Sequence, residues 1–227
     1  DVVVTDATGA GYVDAAAGAD LSALEVQLDG VSNNTQSDIV FRVEDSASAI
    51  AAELSSDNTL LDGANDLEVD GGITDIDGAF DIQSSAAYDA ANSDYAIEDS
   101  SAAILGDTGT VVDAAVSGVV VTDATGAGYV NAADGADLSA LEVEMRAANG
   151  DATSDIVFRV EDSASAVAAE LASDNTLLDG ANDLEVDGGI TDIDGAFDIQ
   201  SSAGYDAANS DYAIEDSSAA ILGDTGT

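Results

Sequence analysis

The chain repeats itself: residues 2–110 align with residues 119–227 at a constant offset of 117, without a gap. Fifteen of the 109 aligned pairs differ, and ten of these differences fall in one block, QLDGVSNNTQ at 27–36 against EMRAANGDAT at 144–153. Tandem copies are typical of arrays in which each unit packs against its neighbours. We therefore expect two repeat copies, 1–110 and 119–227, joined by a crossover at 111–118. We expect the variable blocks to be exposed loops, because loops drift faster than cores.

Short phrases of alternating apolar and polar residues recur within each copy. In the first copy they are VVVTD (2–6), FRVED (41–45), LEVDG (67–71) and YAIED (95–99), and the counterparts start 117 residues later. Alternation with period two predicts strands with one buried face.

The segments between these phrases have a different spacing. Apolar residues stand three or four positions apart in GADLSALEV (18–26), SASAIAAEL (46–54) and TDIDGAFDI (74–82), which predicts short helices. Strands joined by helical crossovers run parallel. The expected fold is therefore an α/β repeat, a solenoid-like stack of strand–turn–short-helix units, four in each copy. The alternative left open is two all-β immunoglobulin-like domains of about 110 residues, which extended backbone at 46–54 and 74–82 would favour.

An Asp-Ser pair follows several of the predicted strands. A carboxylate at a helix start accepts hydrogen bonds from the free amides of the first turn and suits the helix dipole. We therefore predict that four aspartates are structural caps of the helices that follow them: Asp45, Asp99, Asp162 and Asp216.

The charge of the chain is extreme, with 47 acidic residues against three arginines and a formal net charge of −44. At low salt such a charge opposes a compact state, whereas at about 1 M salt the Debye length falls to roughly 3 Å. The chain is nevertheless 46% hydrophobic, so it has material for a core. This composition resembles that of proteins from extremely halophilic archaea.

Several functions are excluded or disfavoured by the residues that the chain lacks. It contains no Lys, His or Cys, so the Ser-His-Asp and Cys-His triads and Schiff-base chemistry are impossible. Three arginines cannot form a basic surface for nucleic acid. The apolar runs are too short to insert into a membrane. We expect a protein that is not an enzyme.

Calcium is the one cofactor that the sequence suggests. The segment DIDGAFD at 75–81 recurs at 192–198 and places carboxylates around a Gly, and hard oxygen ligands suit Ca²⁺. The candidate ligands are Asp75, Asp77, Asp81, Asp192, Asp194 and Asp198. The alternative is a helix start on a solvated acidic face.

Asn33-Asn34-Thr35 is a glycosylation sequon inside the first variable block, which makes Asn33 a candidate glycosylation site. The second copy lacks it.

The phrases VEDSASAI (43–50) and IEDSSAAI (97–104), with their counterparts, resemble the V-x-D-T-A-A-N-I repeats of long secreted and surface proteins of bacteria and archaea. The resemblance implies an extracellular structural protein: a filament, sheath or S-layer-like assembly whose partners are copies of itself. The alternative is a calcium-dependent adhesin or viral fibre segment. It would bind a host or neighbouring cell surface through the blocks 27–36 and 144–153, and it would lie on a cell or virion surface.

Overall fold

The protein, seen in a computed structural model that describes residues 2–4, 11–32, 39–125, 128–150 and 155–223, has an α/β fold with parallel strands. The strands are β1 (Val2–Val3), β2 (Ile39–Val40), β3 (Val43–Asp45), β4 (Leu67–Thr74), β5 (Asp94–Asp99), β6 (Val116–Val121), β7 (Asp155–Val157), β8 (Arg159–Asp162), β9 (Asp183–Thr191) and β10 (Asp211–Ile214). The helices are α1 (Ala15–Ser32), α2 (Ala47–Leu54), α3 (Ile76–Ser84), α4 (Ser101–Gly106), α5 (Thr108–Val111), α6 (Ala132–Asn149), α7 (Ala164–Leu171), α8 (Ile193–Ser201) and α9 (Ser218–Gly223).

The helices predicted at 46–54 and 74–82 are confirmed as α2 and α3. The all-β alternative is therefore wrong. Alanine-rich segments with apolar residues four apart bury one helical face, and α2 buries Ala47, Ile50 and Leu54 in this way.

The described residues form two compact units. The first contains Asp1–Glu98, Gly109–Gly118 and Ala148–Asp151, and the second contains Asp99–Thr108, Val119–Ala147 and Ala152–Thr227. The units therefore do not coincide with the predicted copies, because α4 belongs to the second unit. The predicted crossover 111–118 contains the last residue of α5 and the first three residues of β6.

Parallel pairing follows the same register in both copies. Val43 pairs with Leu67 in the first unit, and their counterparts Val160 and Leu184 pair in the second. Isolated bridges extend each pair into a row of four residues, which runs from Val13 to Tyr88 in the first unit and from Val130 to Tyr205 in the second. The two central residues of each row are completely buried. We call one strand with the helix that follows it a rung, and these rows are where successive rungs meet.

A bulge interrupts β4 where it pairs with β5. The register shifts between Asp70 and Ile73, and the two residues in between, Gly71 and Gly72, have φ of 69° and 89°. Only Gly adopts such angles readily. A Cβ at Gly72 would lie 3.3 Å from the amide nitrogen of Ala47, so the bulge also brings the strand backbone against the start of α2.

The variable blocks are not loops where the structure describes them. Helix α1 continues to Ser32 and α6 to Asn149, so residues 27–32 and 144–149 are helical. The helix continues because both blocks begin with residues of good helix propensity, and Met145 is completely buried. Residues 33–36 and 151–153 lie outside the described residues, and so does the candidate glycosylation site Asn33.

Candidate functional site

The six predicted calcium ligands lie at the starts of α3 and α8. Asp75 is the N-cap of α3, where its Oδ1 accepts a hydrogen bond of 2.8 Å from the Gly78 amide, and Asp77 lies in the first turn. Asp192 and Asp194 do the same for α8. Asp81 and Asp198 follow one turn later. Asp75, Asp77 and Asp81 line an open groove next to α2, and the half-exposed Phe80 lies beside them.

Other carboxylates come closer together. Among the described residues, two groups of three have carboxylate oxygens within 4.8 Å of one another: Asp66, Glu68 and Asp89 (the first carboxylate cluster), and Asp183, Glu185 and Asp206 (the second). The six predicted ligands form no such group within the described chain. The calcium prediction for them stays a prediction.

The strand register builds each cluster. Asp66 immediately precedes β4 and Glu68 is the second residue of β4, so the two side chains lie on one face. Asp89 joins them because its amide donates a hydrogen bond of 3.0 Å to the carbonyl of Leu67.

An arginine is bound to each cluster. Arg42 Nε donates to Asp66 Oδ2 at 2.9 Å, and Arg42 Nη2 donates to Glu68 Oε1 at 2.8 Å. The ring of Tyr12 stacks on the guanidinium, with 4.1 Å from Cζ to the ring centroid, and the Tyr12 hydroxyl donates to Glu68 at 2.6 Å. Such a fork binding two carboxylates and an aromatic face is specific to arginine.

The second cluster has the same partners. Arg159 contacts Asp183 and Glu185 and stacks on Tyr129, again with 4.1 Å from Cζ to the centroid. Two of the three arginines of the chain therefore bind equivalent carboxylate clusters.

The protonation states follow from these contacts. The hydrogen bond to Glu68 raises the pKa of Tyr12 to about 12, and the pKa of Arg42 is raised chiefly by its hydrogen bond to Asp66. Both groups keep their protons at neutral pH. The three carboxylates and one guanidinium of the first cluster leave two negative charges, which attract cations.

The predicted caps bind helices, although not those that follow them. Asp45 Oδ1 accepts from the Ser46 amide at 2.8 Å, while its Oδ2 accepts at 3.1 Å from the amide of Ala15, the first residue of α1. Asp162 binds Ala132 at the start of α6, and Asp216 binds Ile193 at the start of α8. These aspartates therefore cap the helix of the preceding rung.

Asp99 accepts from the Ser100 amide, and the Ser100 hydroxyl caps α4. The carboxylate that reaches the first residue of α4 is Asp123, which accepts from the Ser101 amide at 2.8 Å and from its hydroxyl at 2.9 Å. Asp123 was not among the predicted caps, although it ends the phrase VVVTD in the same way as Asp45 ends FRVED.

One carboxylate is almost completely buried. The side chain of Glu142 on α6 is 3% exposed and forms an ion pair with Arg146, which also binds Asp155 at 3.0 Å. Burial raises the pKa of Glu142 to about 7, against the opposing effect of Arg146. Glu142 was not among the predicted site residues, because its partner Arg146 lies in the block interpreted as a loop.

Comparison of the chain with family models, with curated proteins and with solved structures finds no match. In the part of the chain that the structure describes, no helix is both long and apolar enough to span a membrane.

Proposed function

We propose that this protein is an extracellular structural repeat protein of a halophile, a solenoid-like stack of rungs that forms or decorates a filament, sheath or S-layer-like assembly. Stacking is its mechanism: a rung leaves a strand edge and an amide at the helix start without partners inside the rung, and the next rung provides partners for both.

The contacts between rungs support this mechanism. Many side-chain hydrogen bonds join residues 22 to 30 positions apart, which is about one rung. Asn65, for example, binds both backbone groups of Phe41, accepting from its amide at 3.0 Å and donating to its carbonyl at 2.9 Å. Buried backbone groups need such partners. A rung by itself would leave them without any.

The observation that carries the proposal is the difference between α4 and α9, which have the same sequence, SAAILG. In the second unit, α4 is followed by the strand and turn that hold Asp123, and Ile104 is completely buried. In α9 the counterpart Ile221 is 43% exposed and Leu222 is 78% exposed. No segment within the described residues covers α9. A further repeat that begins with a VVVTD phrase, in the same polypeptide or in another molecule, fits this face.

The net charge supports the halophilic environment. A surface with a formal charge of −44 resists close approach of a second copy unless salt screens it, and at about 1 M salt the screening length is roughly 3 Å. Assembly of this chain therefore requires concentrated salt.

Electron microscopy of the chain in 2–4 M KCl, a concentration chosen for screening, tests the proposal. We expect ordered assemblies of the wild type and loss of assembly in Leu222→Asp. Val143→Asp is the matched control, since Val143 is 66% exposed on α6 and the charge change is the same.

A wild type that stays monomeric at every salt concentration would refute the structural proposal. So would a Leu222→Asp variant that assembles like the control. If that variant assembles normally and exchange of block 27–36 for block 144–153 abolishes attachment to cells, the adhesin alternative is correct.

A further inference from the structure

The last strand of the second unit has one side that no other described strand occupies. Strand β10 pairs with β9 and lies at the edge of the sheet that β8, β9 and β10 form among the described residues. Its counterpart β5 lies between β4 and the beginning of β6. Residues 88–110 and 205–227 have the same sequence, so the structure contains the same strand once covered and once uncovered. The first unit therefore shows which contacts the β10 edge can make.

In the first unit, residues 110–117 cover the edge of β5. The Tyr95 amide donates a hydrogen bond of 3.0 Å to the carbonyl of Ala115, and the Ser117 hydroxyl donates one of 3.1 Å to the carbonyl of Tyr95. Val116 is completely buried, and Tyr95 is 1% exposed. The segment therefore adds a strand to the sheet and removes apolar surface from water.

Two side chains of the first unit bind the same segment. Gln83 Nε2 donates to the Tyr95 hydroxyl at 2.8 Å and to the carbonyl of Thr110 at 2.9 Å. The Tyr88 hydroxyl donates to Asp113 Oδ1 at 2.8 Å. A bond to a backbone carbonyl accepts any sequence, whereas the bond from Tyr88 requires an acceptor side chain and is strongest with a carboxylate. The segment is therefore recognised by its aspartate as well as by its backbone.

The second unit has the same groups in place. Gln200 Nε2 donates to the Tyr212 hydroxyl at 3.0 Å, as the equivalent pair does in the first unit. Tyr205 is the counterpart of Tyr88. Tyr212 and Ile214 are partly exposed, whereas both counterparts in β5 are almost completely buried. The β10 edge is therefore preformed, and binding a strand there requires little further ordering of side chains.

An edge strand with an apolar face favours the addition of another strand. We infer that the β10 edge binds a strand with the chemistry of residues 110–118, TVVDAAVSG, supplied by a further repeat. The added strand runs parallel to β10, Tyr205 binds its aspartate, and Gln200 binds the backbone carbonyl three residues earlier. This inference rests on the proposed structural function and adds to it the segment and the side chains through which one repeat binds the next.

A fluorescent peptide with the sequence of residues 108–121 tests the β10 edge. It is titrated into the full chain in about 2 M KCl, which screens the acidic surface, below the protein concentration at which light scattering detects assembly. We expect saturable binding of one peptide per chain, because β5 keeps its own segment. A peptide with the same residues in scrambled order is the control and should not bind.

The variant Tyr205→Phe isolates the contact with the aspartate. Loss of the hydroxyl should weaken peptide binding by about tenfold, as for other hydrogen bonds to charged groups. The Asp113→Asn form of the peptide should also bind the wild type more weakly, and it should bind Tyr205→Phe no more weakly than it binds the wild type. Tyr88→Phe is the matched control, because it makes the same substitution at the covered edge and should leave peptide binding unchanged.

Amide hydrogen exchange provides a second measurement. The peptide should slow exchange of the Tyr212 amide, which takes the place of the Tyr95 amide, and should leave exchange at Tyr95 unchanged. The inference is overturned if the peptide does not bind, if it binds without protecting the Tyr212 amide, or if Tyr205→Phe and Tyr88→Phe alter binding equally.

The outcomes for this inference and for the structural function can be told apart. A wild type that assembles in concentrated salt but does not bind the peptide would keep the structural function and refute this segment as the partner. A chain that binds the peptide with the expected dependence on Tyr205, yet stays monomeric at every salt concentration, would support the β10 edge as a binding site and refute assembly.

Discussion

Arg42 and Arg159 show how a single residue type is placed in an acidic chain. Each guanidinium joins two strands and an aromatic ring, whereas nearly all other charged residues of the chain are acidic. The sequence contained a signal for this site, since two of only three arginines occupy the same position in the phrase FRVED. The partners 24 and 26 residues later could not be predicted, because they depend on the strand register.

Arg42→Gln should lower the free energy of unfolding by about 1–2 kcal/mol, because it leaves partly buried carboxylates without their counter-ion. Urea unfolding in 2 M KCl measures the change. Arg42→Lys keeps the charge and loses the fork and the stacking, so it should fall between the wild type and Arg42→Gln. A lysine variant as stable as the wild type would show that geometry contributes nothing.

Asp45→Ala should destabilise the start of α1 rather than that of α2, because the carboxylate binds the Ala15 amide. The expected loss is about 1 kcal/mol, as for other caps. Amide hydrogen exchange at Ala15 should accelerate, and the same substitution at Asp20 serves as the control. Unchanged protection of the Ala15 amide would contradict the assignment of this cap.

The pKa of about 7 of Glu142 makes its contribution dependent on pH. A carboxyl group whose pKa is raised on folding binds its proton more tightly in the folded state, so ionisation opposes folding as the pH rises from about 4.3 towards 7. The stability of Glu142→Gln relative to the wild type should therefore increase over this window and level off above it. Unfolding of both proteins between pH 4.5 and 8.5 in 2 M KCl measures the difference. A constant difference across that window would contradict the raised pKa.

At the scale of elements, the helices and strands were predicted better than their ends. The period of apolar residues located α2 and α3 within two residues, because their buried faces repeat at helical spacing. Helix α1 is twice as long as its apolar spacing predicted, 18 residues against nine. Its later part was not predicted because an exposed helix needs no apolar spacing, and Val26 is 74% exposed. Variation between the copies indicated a loop there, whereas an exposed helical face drifts just as freely.

Two glycines of α1 should respond in opposite ways to the same substitution. Gly18→Ala places a Cβ 2.5 Å from Val43 Cγ2 and should destabilise the protein by about 1–3 kcal/mol through overpacking. Gly30→Ala meets no atom within 4 Å and should stabilise it by about 0.5–1 kcal/mol through helix propensity. The second copy already has Ala147 at the latter position. Thermal unfolding of both variants provides the measurement, and equal shifts would contradict this packing of α1.

At the scale of the whole molecule, self-repulsion and hydrophobic burial oppose each other. The core contains mainly Ala, Val, Ile and Leu, with Phe41, Phe158 and Tyr95 as the largest fully buried side chains. The α/β class was predictable from the sequence because period-two and period-four segments alternate along it. The sites were less predictable, because the third carboxylate of each cluster comes from a separate segment, Asp89 or Asp206, and 47 candidates gave no means of selection.

The chain should unfold on dialysis into about 10 mM buffer, where the Debye length is roughly 30 Å, and refold when KCl reaches about 2 M. Far-ultraviolet circular dichroism follows the loss and return of helix. Glycine betaine at the same osmolality is the control, because it adds no ions and should restore much less structure. A fold that persists without salt would contradict the halophilic part of the proposal.

The caps supplied by Asp45, Asp162, Asp216 and Asp123 also bear on how such a gene can change in length. Each completes the helix of its predecessor, and the Gly pair of β4 occupies the corresponding place beside α2. Loss of one rung would bring two rungs into contact whose cap and helix start do not form a pair in the present chain. Unequal recombination between the near-identical copies instead shifts the chain by 117 residues and restores every pair. We therefore expect natural length variants of this protein to differ by whole multiples of that period.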